Sequence, residues 1–244
     1  MSLFSILPKR SGRSQNGQVS VRHQGGRHKR YFRKIDFKRD KKDVLGEVVG
    51  IEYDPSRTSR IALLHYQDGE KRYILAPDGL VLGDKILRGE TAEVKVGNAL
   101  SLGKIPIGTQ IHNLEIRNGQ GGQITRSAGS AAYVLAHEED YTQIKLPSGE
   151  VRRIGSNCLA TIGQVGLIDW RLKKFKKAGT KRHLGVRPTV RGVAQNPHSH
   201  PHGGGEGRSG IGMSKPKTYA GRPAVGKTRK KTNYSNKFIV KRRK

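Results

Sequence analysis

The sequence predicts a mainly β protein, built from two small barrels with a long basic extension at each end. Three observations support this prediction. The net charge is +29 over 244 residues, the runs of branched and aromatic residues are confined to the middle of the chain, and turn residues separate these runs at short intervals. Many short strands with regular turns favour small barrels over a parallel α/β sheet.

Charge is distributed unevenly along the chain. Residues 1–42 carry 13 basic and 2 acidic side chains, residues 43–168 carry 13 and 15, and residues 169–244 carry 22 and 2. A near-neutral middle therefore separates two strongly basic arms. Because such an excess repels itself in a compact monomer, we expect a polyanionic partner, with nucleic acid ahead of an anionic membrane surface. The longest apolar run, 131–136, is too short to span a membrane, so no membrane partner is predicted.

The middle of the chain has the composition of β-strands punctuated by turns. Strands are predicted at 44–53, 61–66, 72–76, from 111, at 131–136, 141–146 and 150–154. Alternation places Thr142, Ile144 and Leu146 on one face of the 141–146 strand. Glycines and prolines in 94–109 are typical of a linker.

The predicted domains follow the charge and the strands. They are an arm at 1–42 that leads into the first barrel, a first barrel at 43–95, a second barrel with a short helix at 96–178, and an extension at 179–244. The helix is predicted at 166–178. A single cysteine, Cys158, excludes an intrachain disulfide and fits a reducing compartment such as the cytoplasm.

The first arm combines cations, rings and glycines in a pattern that favours RNA binding. Its segment Arg22 to Arg33 reads RHQGGRHKRYFR. The cations can neutralise phosphates, and Tyr31, Phe32 and the histidines can stack on bases. Gly25 and Gly26 lack a Cβ and allow the backbone to approach a sugar-phosphate surface closely. A solvated basic tail is the alternative, but both arms are basic and punctuated by glycine.

Several long segments resemble one known family. They are RHQGGRHKRYFRKIDFKRDK, YDPSRTSRIALLHYQDGEKRYILAP, GGQITRSAGSAAYVLA, GVRPTVRGVAQNPHSHPHGGGEGR and KFIVKRRK. The chain is similar, from about Arg10 to Lys244, to the bacterial-type universal ribosomal protein two of the large ribosomal subunit. The resemblance implies an OB-fold followed by an SH3-like barrel, both embedded in large-subunit rRNA by extended arms. It also implies roles in assembly, subunit association and support of the peptidyl-transferase region, in the ribosome of a cytoplasm or an organelle.

The partners implied are 23S-type rRNA, neighbouring ribosomal proteins and the small subunit at the interface. The residues predicted to contact RNA are Arg22, His23, Arg27, His28, Lys29, Arg30, Tyr31, Arg33, Arg126, Arg182, Arg187, Arg191, His198, His200, His202, Arg208, Lys227, Arg229, Lys230, Lys231, Lys241, Arg242 and Arg243. In the family, the histidine that matches His200 has been proposed to assist peptidyl transfer. Here Ser199 precedes it, where family members usually have an acidic residue, and the family's N-terminal arm is usually longer.

One segment matches a nucleotide-binding motif. Gly221 to Thr228 fits the phosphate-loop pattern G-x-x-x-x-G-K-[ST]. As an NTPase signature, this pattern needs a buried strand before it and a helix after it. The preceding MSKPKTYA contains two lysines and a proline, and the following RKKTNYSNKF is not amphipathic. We therefore predict no enzyme activity and no small-molecule substrate.

Two further clusters could hold a metal or catalytic carboxylates. His198, His200 and His202 alternate as ligands on an extended strand would, but only Glu206 lies nearby as a further ligand. RNA contact is the preferred interpretation, and the only cofactor expected is Mg²⁺ held by the rRNA. The acidic run 138–140 precedes a strand and is interpreted as a solvated turn.

A basic RNA-associated factor acting off the ribosome is the alternative binding function.

Overall fold

The computed structural model describes residues 2–226 and 228–243. Contacts divide the chain into two compact units, and each unit draws on both ends of the sequence. Unit 1 comprises Met1–Leu7, Arg30–Lys174 and Lys237–Lys244, and unit 2 comprises Pro8–Lys29 and Phe175–Asn236.

All strands in the described part of the chain belong to unit 1, which confirms the mainly β prediction. They are β1 (Phe4–Ile6), β2 (Tyr31–Arg33), β3 (Gly46–Glu52), β4 (Ile61–Tyr66), β5 (Lys71–Leu75), β6 (Lys85–Ile86), β7 (Ala99–Ser101), β8 (Gln110–His112), β9 (Ala132–His137), β10 (Tyr141–Lys145), β11 (Val151–Gly155), β12 (Leu159–Ile162) and β13 (Ile239–Lys241). They form a β1-β2 ribbon, a four-stranded sheet β5-β4-β3-β6 and a seven-stranded sheet β13-β11-β10-β9-β8-β12-β7.

The four-stranded sheet encloses the first of two hydrophobic cores. Strand β4 lies between β3 and β5, and all three pairings of this sheet are antiparallel. The turn between β4 and β5 closes at Gly69, whose φ of +81° favours glycine. Branched and aromatic side chains fill the interior, with Leu64 and Ile74 almost inaccessible to solvent. This turn therefore joins the strands predicted at 61–66 and 72–76 in an antiparallel hairpin.

The seven-stranded sheet encloses the second core, and it corrects the linker prediction for 94–109. That segment contains β7 and a 3₁₀ turn, Leu102–Lys104. Leu102 and Ile105 are completely buried in the second core. Its glycines and Pro106 lie in a folded barrel and not in a linker, because the apolar side chains between Gly97 and Pro106 are buried. Thr142 and Ile144 of β10 are buried, and Leu146, just after this strand, packs against the same core, so the three side chains share one face as predicted.

The helix predicted at 166–178 is present only as a short 3₁₀ helix, and its bounds were wrong. The segment forms a 3₁₀ turn, Ile168–Leu172, which follows Leu167 in a left-handed conformation with φ of +63°. Ile168 and Leu172 are exposed, so they do not form the buried stripe that would stabilise an amphipathic helix. An α-helix, α1 (Ala178–Leu184), begins only afterwards. No helix in residues 2–226 and 228–243 is long and apolar enough to cross a bilayer.

Two buried ionisable side chains of the second barrel region, His112 and Glu115, are hydrogen-bonded to the backbone. The His112 Nδ1–H donates to the Gly163 carbonyl at 2.8 Å. Burial lowers the pKa of His112 to about 4, so the imidazole stays neutral at physiological pH. Glu115 is 1% exposed, and its carboxylate accepts backbone N–H bonds from Gly121 at 2.8 Å and Leu159 at 3.0 Å. These contacts fix the loop after β8 against the start of β12.

Candidate nucleic-acid interface

Unit 2 concentrates positive charge without compensation. Pro8–Lys29 contains six basic residues and Phe175–Asn236 contains fourteen, whereas Glu206 is the single acidic residue of both segments. Unit 1 differs because acidic side chains accompany its cations. Arg72, for example, pairs with Asp36 at 2.9 Å and Glu70 at 2.8 Å. An excess of this size on one unit is the electrostatic footprint of a polyanion-binding surface.

Backbone hydrogen bonds join the two segments of unit 2. Gln24 pairs with Val186 in an antiparallel bridge. Beside it, the Gly25 N–H donates to the Gly185 carbonyl at 2.8 Å, and the Arg187 N–H donates to the His23 carbonyl at 2.9 Å. Cationic segments far apart in sequence therefore form one surface.

Carbonyl oxygens and an aromatic ring, not carboxylates, hold several arginines of unit 2. The Arg13 guanidinium donates to the Gly17 carbonyl at 2.8 Å, and the Arg22 guanidinium lies 4.6 Å from the centre of the Tyr219 ring. Arg182 donates to the Gly25 carbonyl at 3.4 Å. Neutral partners orient these guanidinium groups but leave their charge available for an anion.

The predicted RNA contacts are distributed over both units. In unit 2 lie Arg22, His23, Arg27, His28, Lys29, Arg182, Arg187, Arg191, His198, His200, His202, Arg208, Arg229, Lys230 and Lys231. In unit 1 lie Arg30, Tyr31, Arg33, Arg126, Lys241, Arg242 and Arg243. Lys227 lies outside the described residues.

In unit 1, the predicted contacts lie at three separate places. Tyr31 is 54% exposed on β2, where Arg33 lies 5.4 Å from the Phe4 ring centre. Arg126 lies 4.5 Å from the centre of the Phe37 ring. Arg30, next to Tyr31, donates to the Pro55 carbonyl at 2.6 Å. Lys241, Arg242 and Arg243 are exposed at the end of β13 and just after it.

Two of the histidines predicted to contact RNA, His200 and His202, form a compact turn. His200 Nδ1 accepts the His202 N–H at 3.0 Å, and His202 Nε2 accepts the Lys217 N–H at 2.9 Å. The His200 imidazole lies so close to Gly192 that a Cβ there would be 2.5 Å from a ring carbon. Within the described residues, no three His, Cys, Asp or Glu side chains are grouped to hold a metal ion. The turn is therefore built by backbone hydrogen bonds and close packing.

The phosphate-loop motif lacks the structural context of a nucleotide site. Gly221 and Gly226 are exposed with positive φ angles. The described residues 213–226 and 228–233 contain no helix or strand. In the acidic run, Glu138 accepts a hydrogen bond from Gln143 at 2.6 Å and forms an ion pair with Arg153 at 3.1 Å, while Glu139 and Asp140 are exposed.

Sequence patterns did not single out every basic residue of interest. Arg13 lies in a concave region of unit 2 beside Arg22 and Arg187. Arg57 lies 5.5 Å from the Phe37 ring that Arg126 also contacts. Neither residue belongs to a charge run, so only the folded chain reveals these groupings.

The chain has two hydrophobic cores formed by β-sheets, and unit 2 has a large excess of positive charge. These two features are typical of a β protein that binds nucleic acid. Residues 1–88 match the family model described as Ribosomal Proteins L2, RNA binding N-terminal domain, and residues 95–221 match Ribosomal Proteins L2, C-terminal domain. The chain therefore belongs to the ribosomal protein L2 family. The resemblance found in the sequence is confirmed, and so is the order of an OB-fold and an SH3-like barrel.

Membership of this family fixes the broad function. The chain is a structural, non-enzymatic protein of the large ribosomal subunit, where it binds rRNA among other ribosomal proteins. Its place in the cell is accordingly the ribosome.

Proposed function

We propose that this chain binds 23S-type rRNA through unit 2 and through the two barrels of unit 1. By this binding it supports large-subunit assembly, subunit association and the peptidyl-transferase region. The observation that carries the proposal is the charge of unit 2, with Glu206 its single acidic residue. Buried in rRNA, these cations replace counterions on the phosphates. The two RNA-contact sets in units 1 and 2, together with Lys227, form the proposed interface. Any Mg²⁺ belongs to the rRNA.

Sedimentation of a cell lysate through sucrose gradients tests this proposal. At low salt, the chain is expected to travel with large subunits and with joined ribosomes, because phosphate contacts across unit 2 retain it. Higher salt should release it only after more weakly held proteins have left. Gradients of cytoplasmic and organellar fractions would show which ribosome contains it. Recovery of most of the chain free of subunits, or with small subunits alone, at low salt would favour an RNA-associated factor that acts off the ribosome.

We propose that His200 supports the peptidyl-transferase region by shape and not by proton transfer. Its Nδ1 already accepts the His202 N–H, and its ring packs on Gly192. Ser199 provides no carboxylate beside it to stabilise a charged imidazole.

Replacement of His200 by Gln is expected to leave single-turnover peptide-bond formation within about threefold of wild type, because Gln can still accept the His202 N–H. Loss of an acid–base catalyst would cost roughly 10²–10⁴-fold. The rate is measured on purified subunits across pH 6 to 8, with His198→Gln as the matched control. A hundredfold loss confined to His200→Gln, together with a lost titration near neutral pH, would show that the imidazole is catalytic. Gly192→Ala should instead reduce incorporation of the protein into subunits.

A further inference from the structure

Unit 2 contains a concave pocket of about 410 Å³. Its lining includes Arg13, Val19, Val21, Arg22, Gln24 and Arg187. Five of these residues come from the segment Pro8–Lys29, and Arg187 comes from Phe175–Asn236. The pocket therefore exists only where the two basic segments meet.

A tight turn and the bridge between the segments shape this pocket. The Ser20 and Val21 N–H groups both donate to the Gly12 carbonyl, at 2.9 and 3.0 Å. A Cβ on Gly12 would lie 2.1 Å from the Val21 carbonyl oxygen, so the chain can close this tightly only at glycine. On the other side, the hydrogen bond from the Arg187 N–H to the His23 carbonyl places the Arg187 side chain at the rim.

The electrostatics of the pocket favour an anion. Arg13 donates through Nη1 to the Gly17 carbonyl at 2.8 Å, and Arg22 lies against the Tyr219 ring. The Arg187 side chain is exposed and makes no side-chain hydrogen bond to another described residue. Pro8–Lys29 contains no acidic residue and Phe175–Asn236 contains only Glu206, which is not part of the lining. Three guanidinium groups therefore border one cavity whose lining includes no carboxylate. Guanidinium groups bind phosphate oxygens through paired N–H donors.

Other residues of the lining suit a nucleobase. Val19 is 55% exposed and Val21 49% exposed, so the pocket offers apolar surface against which a flat ring can lie. The Gln24 amide can pair with the polar edge of a base. The volume falls in the range of roughly 300–1,000 Å³ typical of small-ligand pockets, whereas a duplex keeps its bases paired inside a helix. Sequence-specific RNA recognition commonly targets unpaired nucleotides.

We propose that this pocket binds one unpaired nucleotide of the bound RNA, with its phosphate at the arginines and its base against Val19 and Val21. The inference rests on the proposed rRNA-binding function and adds a specific site to it. It also gives Arg13 a role and distinguishes Arg187 from the basic residues that contact only the outer phosphates of a helix.

Binding of the full-length chain to two probes tests the proposal. The probes are a short fluorescein-labelled single-stranded RNA and the same strand annealed to its complement, both measured by fluorescence anisotropy. Arg187→Gln is expected to weaken single-strand binding about tenfold to a hundredfold, the range for a lost hydrogen bond to a charged group. Duplex binding should change by about threefold or less, since one distributed phosphate contact is lost. Arg187→Lys, which keeps the charge but loses the paired donors, should give an intermediate loss.

Arg191→Gln is the matched control, because Arg191 is an exposed arginine of the same segment outside the pocket. It should weaken single-strand and duplex binding equally. If Arg187→Gln behaves like this control, the pocket inference fails while the proposed function stands. If the wild-type chain binds neither RNA, the proposed function fails as well.

A cross-linking measurement gives an independent result. The same single strand, carrying 4-thiouridine, should cross-link on irradiation to residues 19–26, and Arg187→Gln should reduce these cross-links. Cross-links that fall elsewhere and persist in the variant would overturn the proposal. Circular dichroism of each variant shows whether unit 1 keeps its β structure.

Discussion

Raising the salt concentration from 50 to 200 mM is expected to weaken binding of this chain to large-subunit rRNA by about 10³- to 10⁵-fold. This range applies to a protein that contacts six to ten phosphates, because each contact releases condensed counterions. The charge of unit 2 provides enough cations for such a footprint, with twenty basic residues against Glu206. The measurement is a series of equilibrium binding curves with an rRNA fragment at graded salt.

Two charge-matched variants test whether unit 2 dominates this dependence. The unit 2 variant replaces four exposed cations by Gln, at Arg191, Arg208, Lys230 and Lys231. The unit 1 variant replaces four exposed cations, at Arg60, Lys71, Lys85 and Lys145. At a slope of about 0.9 per phosphate contact on a duplex, the loss of four contacts in the first variant should flatten the log–log salt dependence by roughly 3.6, and the second variant should flatten it by less than about 1. Equal slopes for the two variants would contradict a footprint centred on unit 2.

The strands were the part of the fold that could be predicted best from the sequence. The prediction for 61–66 coincides with β4 at both ends, and Ile144 in β10 is buried on the face that alternation predicted it to share with Thr142. Both segments bury one set of side chains in a sheet, so their local pattern contains the information that decides their structure. Family-specific motifs added the barrel types, which periodicity alone does not distinguish.

The prediction failed where distant contacts determine the structure. The linker expected at 94–109 is part of the second core because β7 pairs with β12, almost sixty residues later. The predicted helix is limited to the 3₁₀ segment Ile168–Leu172, because Ile168 and Leu172 are exposed and do not form a buried apolar face. In unit 2, the bridge from Gln24 to Val186 joins segments separated by the whole of both barrels. The local pattern around these residues contains no sign of their partners.

The burial of the Glu115 side chain also depends on distant contacts and could not be predicted from the local sequence. It lies in the segment IHNLEIR just after β8, where an acidic residue would ordinarily be expected at the surface. The chain leaves the regular strand at Asn113, whose φ is +49°, and the Glu115 side chain turns inward. There it accepts the N–H groups of Gly121 and Leu159, and its burial depends on a loop that closes around it.

Replacement of Glu115 by Ala is therefore expected to destabilise unit 1 by about 4 kcal/mol, because it leaves two buried N–H donors without an acceptor, at roughly 1–3 kcal/mol each. Glu115→Gln should reduce the free energy of unfolding by less, because the amide oxygen can still accept one of the two N–H groups. It should still be destabilising, because the amide NH₂ group would face the other N–H donor. The matched control is Glu139→Ala, which removes an exposed carboxylate and should change the free energy of unfolding by about 0.5 kcal/mol or less.

The measurement is urea-induced unfolding of the full chain, followed by far-ultraviolet circular dichroism of the β structure. The expected order of destabilisation is Glu115→Ala, then Glu115→Gln, then Glu139→Ala. Amide exchange should also accelerate at Gly121 and Leu159 in Glu115→Ala, because these donors lose their acceptor. An unfolding free energy for Glu115→Ala within about 1 kcal/mol of wild type would mean that water or a rearranged loop satisfies both N–H groups, and that the carboxylate does not organise this part of the barrel.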